Sequence, residues 1–343
     1  MRVLLDINHP GQVHLFKHAA RAWLARGDEV LFVARDKDVT IALLEEYGLP
    51  FERGPTRRRG VVGMLIELFS KTASLVGIGR RFRPHIVLSL GSPAAAWAAI
   101  LLHVPHLAFE DTEHSTEQYV LYAPFTRWIA TATCFRRELG RKQLRYAGYH
   151  ELAYLHPARF TADAALPATL GLDPVERYVI VRFVSWEASH DRGHSGFSAA
   201  GKRRLVTLLA ARARVIITSE QALPAELERY RLPTSAGRIH DLLAGAALYI
   251  GEGATLASEA AMLGVPSIYV NTLEAGTIDE QQSYGLVYHL PLEAAAIERA
   301  LALLDDADAR AEHQRRRARM LADKIDVTAW MLSTIDTLCP RPS

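Results

Sequence analysis

Residues 251–259 read GEGATLASE, and this stretch decides the fold. The apolar run Ala246–Ile250 precedes it and is typical of a buried strand. An alanine-rich run follows, which predicts a helix that stops at Gly264, two residues before Pro266. The order of strand, glycine turn, helix and stop indicates an α/β protein.

The turn itself can hold a ligand. Small residues let the backbone approach a ligand closely, and the N-terminus of the following helix favours an anion. Thr255 and Glu259 lie one helical turn apart on one face, so a phosphate at the turn and a ribose diol near Glu259 would fit. A tight strand-to-helix turn in any α/β protein explains the same pattern, because the third glycine of the dinucleotide fingerprint is missing.

Length and composition limit the class of protein. The chain has 343 residues, enough for two domains, with 49% hydrophobic and 23% charged residues, as in soluble globular proteins. A formal net charge of +2 gives no reason to expect nucleic acid as a partner. Cys134 and Cys339 are far apart in sequence, which argues against a disulfide framework. The first apolar run is too short for a signal peptide and no stretch is long enough to span a bilayer, so we expect a cytoplasmic protein.

Short apolar runs alternate with helical patterns along the chain. Strands are predicted at residues 3–7, 29–34, 86–90, 106–109, 129–133, 178–184, 215–218, 247–250 and 267–270, and helices at 14–26, 94–103 and within 292–338. This alternation predicts parallel sheets covered by helices. The proline-containing stretch from His156 to Pro174 predicts the domain junction. We therefore expect domains over 1–160 and 161–325, with a final helix over 326–343 that can pack back on the first domain.

Several segments resemble GT-B glycosyltransferases. Residues 11–30 resemble the opening loop and helix of the bacterial N-acetylglucosaminyltransferase that completes the lipid-linked peptidoglycan precursor, with His14 where that family carries a histidine. Residues 84–105 resemble its next signature, a glycine turn that opens a helix of small residues, and the following strand ends in an acidic residue, here Glu110. Residues 251–266 resemble the nucleotide-sugar site, and residues 279–282 the following loop, where a glutamine contacts the sugar.

The resemblance implies an α/β GT-B fold, with two Rossmann-like, doubly wound parallel-sheet domains facing a cleft. It implies a glycosyltransferase that moves a sugar from a nucleotide-sugar, most simply a UDP-sugar, to an acceptor hydroxyl, without an obligatory metal or other cofactor. UDP-N-acetylglucosamine 2-epimerases share this architecture, so a UDP-sugar 2-epimerase and a non-catalytic nucleotide-sugar-binding protein stay open. Residues 111–114 and 186–191 differ from the peptidoglycan enzyme and look like another branch of GT-B-like proteins in bacteria and archaea.

The resemblance places the donor site in the C-terminal domain. The candidate donor-binding residues are Arg182, His240, Gly251, Gly253, Ala254, Thr255, Glu259 and Gln281. Arg182 lies inside a predicted buried strand, where its charge needs a partner; a diphosphate and an internal salt bridge both fit. A plain helix start with Asp241 in its first turn explains His240 as well as base binding does.

The resemblance places the acceptor site in the N-terminal domain. The candidate catalytic residues are His14, Asp111, Glu113 and Glu110, and the acceptor or loop residues are Gly11, His114 and Ser92. A neutral His14 could take a proton from an acceptor hydroxyl, and crowded carboxylates after a strand raise one another's pKa, which suits acid/base work. The alternatives are a solvent-exposed histidine at a helix start and a polar loop in which Asp111 or Glu113 caps the next helix.

Two further patterns concern metals and membranes. His14 and His18 have the spacing that can bind a metal, but no glutamate lies between them as in zinc proteases, so no metal site is expected. Residues 57–59 are three arginines ahead of the apolar run 61–69. A basic cluster beside an apolar helix can dock on an anionic membrane, which would suit a lipid-linked acceptor. A core helix with a solvated basic start explains the same residues.

Overall fold

The computed structural model describes residues 1–35, 39–55, 61–113, 115–173, 175–184, 196–219, 223–231 and 234–340. The chain divides into two compact units. Unit 1 comprises Met1–Arg159 with Ile325–Ser343, and unit 2 comprises Phe160–Lys324. Each unit is built on one sheet.

Twelve strands form the two sheets in the described ranges. They are β1 (Arg2–Ile7), β2 (Glu29–Ala34), β3 (Phe51–Arg53), β4 (Ile86–Leu90), β5 (His106–Glu110), β6 (Trp128–Ala132), β7 (Gln143–Tyr146), β8 (Tyr178–Phe183), β9 (Arg214–Ser219), β10 (Leu248–Gly251), β11 (Ser267–Tyr269) and β12 (Val287–His289). The strand order is β3-β2-β1-β4-β5-β6-β7 in unit 1 and β12-β11-β10-β8-β9 in unit 2. All neighbouring strands are parallel, which confirms the predicted sheet type.

Fifteen α-helices connect and flank these strands within the same ranges. They are α1 (Pro10–Ala25), α2 (Thr40–Glu46), α3 (Val61–Phe82), α4 (Pro93–Leu102), α5 (Thr116–Tyr122), α6 (Leu152–Leu155), α7 (Leu166–Thr169), α8 (Ala199–Ala210), α9 (Ala225–Glu228), α10 (Ile239–Gly245), α11 (Ala254–Met262), α12 (Gly276–Ser283), α13 (Glu293–Asp305), α14 (Ala309–Asp323) and α15 (Val327–Leu338). Short 3-10 helices lie at Ala123–Phe125, Gly140–Lys142 and Ala236–Arg238. No helix among the described residues is long and apolar enough to cross a membrane.

Helices cover both faces of the first sheet. Successive residues of a strand point to opposite faces, and two residues of β5 illustrate this. Ala108 belongs to an apolar cluster with Ala96 of α4, whereas the ring of Phe109 packs edge-on against Phe16 of α1, with 5.4 Å between centroids. This arrangement is the doubly wound sheet that the alternating sequence pattern predicts.

Helix α1 begins earlier than the sequence indicates. The predicted start was His14, but the helix begins at Pro10. His9 is the N-cap, and its Nδ1 accepts the Gly11 N–H at 3.2 Å. Proline is favoured at the first helical position because its missing N–H would have no helical partner there. Gly11 therefore lies in the first helical turn rather than in a loop, and His14 lies inside the helix.

The last helix packs on unit 1. The Arg26 guanidinium of the segment after α1 binds the Asp336 carboxylate of α15 through two hydrogen bonds of 2.7 and 2.6 Å. The Thr328 hydroxyl donates to the carbonyl oxygen of Ala153 in α6 at 2.7 Å. The final segment thus belongs to the same compact unit as the first sheet.

Candidate functional site

The first sheet reverses its winding between β1 and β4, the kind of position at which doubly wound sheets bind ligands. Ser92 caps α4 there: its hydroxyl accepts the Ala95 N–H at 3.3 Å and donates to the Asp6 carboxylate at 2.5 Å. The ammonium of Lys71 lies 2.6 Å from Asp6 Oδ1, and burial lowers the pKa of Lys71 while the Asp6 charge opposes that effect. The three polar side chains are buried, so the Ser92 hydroxyl is used within an internal network.

Glu110 ends β5 with a buried carboxylate. Its Oε1 accepts the N–H groups of Asp111 and Thr112 at 3.1 and 2.9 Å, and its Oε2 accepts a short hydrogen bond from the Tyr122 hydroxyl. Burial and the Asp111 charge raise the pKa of Glu110, and these hydrogen bonds partly oppose the rise. Three donors thus occupy this carboxylate, which fixes the turn after β5.

Asp111 pairs with an imidazole that is not among the predicted site residues, that of His150. Nδ1 of His150 lies 3.3 Å from Oδ2 of Asp111. The His150 ring stacks on Tyr146, the last residue of β7, with 6.1 Å between centroids. Nε2 of His150 is buried and has no hydrogen-bond partner in the described part of the chain. A carboxylate on one ring nitrogen orients the imidazole and leaves the other nitrogen for a ligand.

The two members of this pair shift each other's pKa. Burial lowers the pKa of His150, but the hydrogen bond to Asp111 and its charge outweigh burial, so the pKa lies above the usual 6.5. Burial raises the pKa of Asp111, but the hydrogen bond and charge of His150, with smaller contributions from Thr112 and His9, bring it below 3.8. Each group therefore favours the charged form of the other.

The remaining candidates of unit 1 have other partners. His14 is buried in α1, with Nδ1 at 3.2 Å from the Tyr47 hydroxyl and its ring 5.4 Å from that of Tyr154. Glu113 accepts the backbone N–H of Arg136 at 2.8 Å through Oε1. The structure thus places His14 among tyrosines of the helical layer, and Asp111 beside His150 at the carboxyl end of the sheet.

In unit 2 the predicted strand, turn and helix of residues 248–262 are present as β10 and α11. Gly253 is the N-cap with an extended backbone, and the first helical hydrogen bond joins the Ala257 N–H to the Gly253 carbonyl. The N–H groups of residues 254–256 therefore have no helical acceptor. Together with the exposed Thr255 they form a helix N-terminus of the kind that binds anions.

Polar groups gather on one face of the second sheet beside this helix. Gly251, Arg182 and Thr218 are paired in register across β10, β8 and β9. A Cβ at Gly251 would lie 2.3 Å from the Tyr249 hydroxyl, so only glycine leaves room for that phenol. The Tyr249 hydroxyl and the Thr218 hydroxyl are buried and have no hydrogen-bond partner among the described residues. Burial raises the pKa of Tyr249, and the nearby charge of Arg182 acts in the opposite direction.

Other predicted donor residues contact each other inside unit 2. His240 Nε2 lies 3.0 Å from Glu259 Oε1, and both side chains are buried. Gln281 is fully buried and donates to the Ser258 hydroxyl at 2.6 Å. These contacts connect α10 and α12 to α11, so they hold the helix whose N-terminus faces the candidate anion site.

Glu252 is not among the predicted site residues, although it lies between Gly251 and Gly253. Its carboxylate is buried and accepts the N–H groups of Val184 at 2.9 Å and Phe197 at 2.7 Å. Burial raises the pKa of Glu252, which the two N–H groups and the ammonium of Lys202, 3.6 Å away, oppose. Through these two hydrogen bonds the Glu252 side chain, which follows β10, connects the end of β8 to the start of α8.

No group of three or more histidine, cysteine, aspartate or glutamate side chains in the described ranges is arranged to hold a metal ion. Burial lowers the pKa of His18 to about 4, so its imidazole is neutral near pH 7. The predicted acceptor residue His114, the arginines at 57–59 and residues 186–191 lie outside the described residues.

Solved structures share this fold along nearly their whole length. A UDP-GlcNAc 2-epimerase from Neisseria meningitidis bound to UDP-GlcNAc has a TM-score of 0.68 at 12% identity, covering 98% of this chain and 100% of its own. A Streptomyces sp. SF2575 glycosyltransferase has a TM-score of 0.61 at 16% identity, covering 96% and 99%. The glycosyltransferase VinC in complex with dTDP has a TM-score of 0.63 at 15% identity, covering 98% and 100%. These likenesses confirm the predicted GT-B fold.

At the level of sequence, no curated protein matches this chain significantly. One family model does match, and its description is "Protein of unknown function (DUF354)". The match runs over residues 1–333 and so includes both sheets. The chain belongs to the DUF354 family.

Proposed function

We propose that this protein transfers a sugar from a nucleotide-sugar, specifically a UDP-sugar, to an acceptor hydroxyl. The observation that carries the proposal is the pair of Asp111 and His150, an oriented imidazole whose second nitrogen has no partner among the described residues. Such a pair is a general base for a hydroxyl group. Its place at the carboxyl end of the first sheet supports a ligand-binding role.

Unit 1 supplies the base in this proposal. Nε2 of His150 takes the proton of the acceptor hydroxyl as the acceptor oxygen bonds to the anomeric carbon. The bond between that carbon and the diphosphate oxygen breaks, and the nucleoside diphosphate leaves with the electron pair. Asp111 keeps the imidazole in the required orientation and stabilises the imidazolium that forms.

Unit 2 binds the donor in this proposal. The N–H groups of residues 254–256, which have no helical acceptor, and the positive end of the α11 dipole stabilise the charge that develops on the diphosphate. The guanidinium of Arg182 adds a second positive group at the carboxyl end of β8, so the chemistry needs no metal. His240, Glu259 and Gln281 act as positioning residues, since their contacts hold α11 in place.

A UDP-sugar 2-epimerase is the second candidate, because a UDP-GlcNAc 2-epimerase shares the fold over 98% of this chain. The same imidazole would then exchange a proton with the sugar ring. An epimerase changes the sugar without any acceptor, whereas a transferase leaves the donor unchanged except for slow hydrolysis. Nuclear magnetic resonance of the donor sugar after incubation separates these two activities.

The binding of the donor is tested by thermal unfolding of the full chain with UDP, dTDP, GDP and their sugars, with and without magnesium. A ligand that binds only the folded state raises the melting temperature. We expect an increase with UDP and UDP-sugars that does not depend on magnesium. The absence of any increase with every nucleotide would contradict the proposal.

The role of His150 as the base is tested with the His150→Gln variant. The variant is incubated with the donor that the thermal assay identifies, and the rate of hydrolysis to free nucleotide is measured. We expect a loss of about a hundredfold or more in rate, with nucleotide binding retained. His103→Asn is the matched control, since His103 is exposed and has a left-handed backbone that asparagine tolerates. Equal rates for the His150→Gln variant and the original protein would exclude the pair as the base.

A further inference from the structure

Exposed apolar side chains are concentrated on one part of unit 1. Fourteen large hydrophobic side chains are exposed in the described part of the chain, and nine of them lie on α3, α4 and the segment 116–125. With the half-buried Trp97 they define the apolar patch: Met64, Leu65, Ile66, Phe69, Trp97, Ile100, Leu101, Val120, Leu121 and Phe125. Phe69 is 61% exposed and Leu101 57%. Soluble monomers rarely expose such a concentration unless it binds something.

Ring contacts join the three parts of the apolar patch into one surface. The Trp97 ring lies 5.9 Å from Phe69 of α3 and 5.8 Å from Phe125. Its indole N–H donates to the carbonyl oxygen of Leu121 at 2.9 Å, so the polar atom of this side chain is satisfied. Leu101 lies one helical turn beyond Trp97 and extends the same face of α4.

Basic side chains border the apolar patch next to α5. The ammonium of Lys142 donates to the carbonyl oxygen of Pro124 at 3.2 Å, directly before the patch residue Phe125. The Arg137 guanidinium lies 4.6 Å from the ring centroid of Tyr119 in α5. Arg127 is exposed and follows the patch by two residues. These cations at the border of an apolar surface complement a layer that is apolar inside and negatively charged at its surface.

We propose that the apolar patch docks this protein on the surface of an anionic lipid bilayer, with Phe69, Leu101 and Phe125 entering the headgroup layer. A tryptophan at the centre and arginines at the border match the side chains that favour this layer. A second copy of the chain fits less well. A symmetric contact through this face would bring the cations Arg127, Arg137 and Lys142 of both copies together. Two exposed acids lie near them, Glu117 on α5 and Glu138, and Glu138 is already paired with Arg145.

The test is co-sedimentation of the full chain with phosphatidylcholine vesicles, with and without phosphatidylglycerol. We expect binding to the anionic vesicles that weakens as salt is added. Phe69→Ser with Leu101→Ser should weaken binding by about tenfold or more, because both side chains leave the lipid. Both are exposed, so folding should be retained, which the thermal unfolding midpoint checks.

Two matched controls separate docking from general effects. Val175→Ser with Leu292→Ser removes two exposed apolar side chains of unit 2 and should leave binding unchanged. Arg127→Gln should weaken binding about fivefold. Arg229→Gln should leave binding unchanged. Arg229 is a matched control because it is exposed and its guanidinium carbon lies 4.8 Å from the ring centroid of its neighbour Tyr230, the same distance as from Arg127 to Trp128.

Three results would overturn the proposal. The first is no binding to anionic vesicles at any salt concentration. The second is binding that the double variant at Phe69 and Leu101 leaves unchanged. The third is a dimer in sedimentation velocity that this double variant abolishes, since the patch would then be covered by a second copy.

Discussion

The hydrogen bond and charge of Asp111 raise the pKa of His150, so the proposed transfer reaction should depend on pH in a predictable way. A base works in its neutral form, so the rate should rise with pH through the pKa of His150, which lies above 6.5. Asp111→Asn removes the charge that raises this pKa, so the rise should move to lower pH. The maximal rate should fall by roughly a thousandfold, because the imidazole loses its orienting carboxylate. Rate profiles against pH and titration of the imidazole by nuclear magnetic resonance measure both effects.

The same substitution has a defined effect on stability. Because folding raises the pKa of His150, the protonated imidazole stabilises the folded state fully below pH 6.5. This stabilisation is lost as the pH rises through the folded-state pKa. The lowered pKa of Asp111 means that its stabilisation is present above 3.8 and is lost as pH falls. Asp111→Asn should therefore destabilise most between these limits. Asp305→Asn is the control, because Asp305 is an exposed carboxylate paired with Arg212. A rate profile that Asp111→Asn leaves unshifted would refute the pairing of Asp111 with His150.

The buried carboxylate of Glu252 predicts a large loss of stability from a small change. The two carboxylate oxygens of Glu252 accept the N–H groups of Val184 and Phe197. Glu252→Gln keeps the shape of the side chain but replaces one of these acceptor oxygens by an NH2 donor. One backbone N–H is then left facing another donor, which costs about 1–3 kcal/mol. Urea unfolding measures the difference. Glu226→Gln, at an exposed glutamate paired with Arg203, should cost less than about 1 kcal/mol.

Single residues show why the region of the candidate site is easier to predict from sequence than its individual members. Asp111 was selected because acidic residues cluster after a predicted strand, and the structure places it at that edge. His150 could not be predicted because β7, with the sequence QLRY, lacks an apolar run, so no local pattern indicates that the loop after it returns to Asp111. Long-range pairing of this kind depends on strand order, which local patterns do not contain.

Elements were predictable where an apolar run was long enough to be unambiguous. The predicted bounds of β2 and β4 agree with the structure, and those of β10 differ by one residue at each end. The three-residue strands β3, β11 and β12 depend on their neighbours in the sheet, and only β11 was predicted. The start of α1 was wrong because apolar periodicity begins after the cap, whereas Pro10 determines where the helix begins.

The N-terminus of α11 allows one hydrogen-bond donor to be removed without loss of the helix. Ala254→Pro deletes the first N–H, and proline is favoured at this position. Gly253 has φ −100° and ψ 128°, which suits a residue before proline. If this N–H binds a diphosphate, UDP affinity should fall about tenfold or more, since hydrogen bonds to charged groups contribute about 1.5–3 kcal/mol. Calorimetric titration with UDP measures the change.

A matched proline substitution separates this effect from a general change in helices. Ala199→Pro removes the first N–H of α8, where Ser198 also has an extended backbone, with φ −64° and ψ 162°. It should leave UDP affinity unchanged and the thermal midpoint close to that of the original protein. Equal UDP affinity for Ala254→Pro and Ala199→Pro would show that the N-terminus of α11 does not bind the donor.

At the scale of the whole molecule, the last helix makes the stability of unit 1 depend on a segment that follows unit 2 in the chain. Val327, Met331 and Ile335 of α15 are fully buried, and each contributes about 1.5–3 kcal/mol by burial. A chain that ends at Lys324 loses all three, together with the hydrogen bonds of Arg26 to Asp336. Because a domain is stable by only about 5–15 kcal/mol, unit 1 should unfold or exchange freely in this chain.

Hydrogen exchange measured by mass spectrometry tests this dependence unit by unit. In the chain that ends at Lys324, peptides from residues 1–159 should lose protection, while peptides from 160–324 keep theirs, because the core of unit 2 lies within its own residues. Ser333→Ala changes an exposed residue of α15 and should leave both units protected. Retained protection in residues 1–159 would mean that the first sheet is stable without α15. Loss of protection in both units would mean that they unfold together.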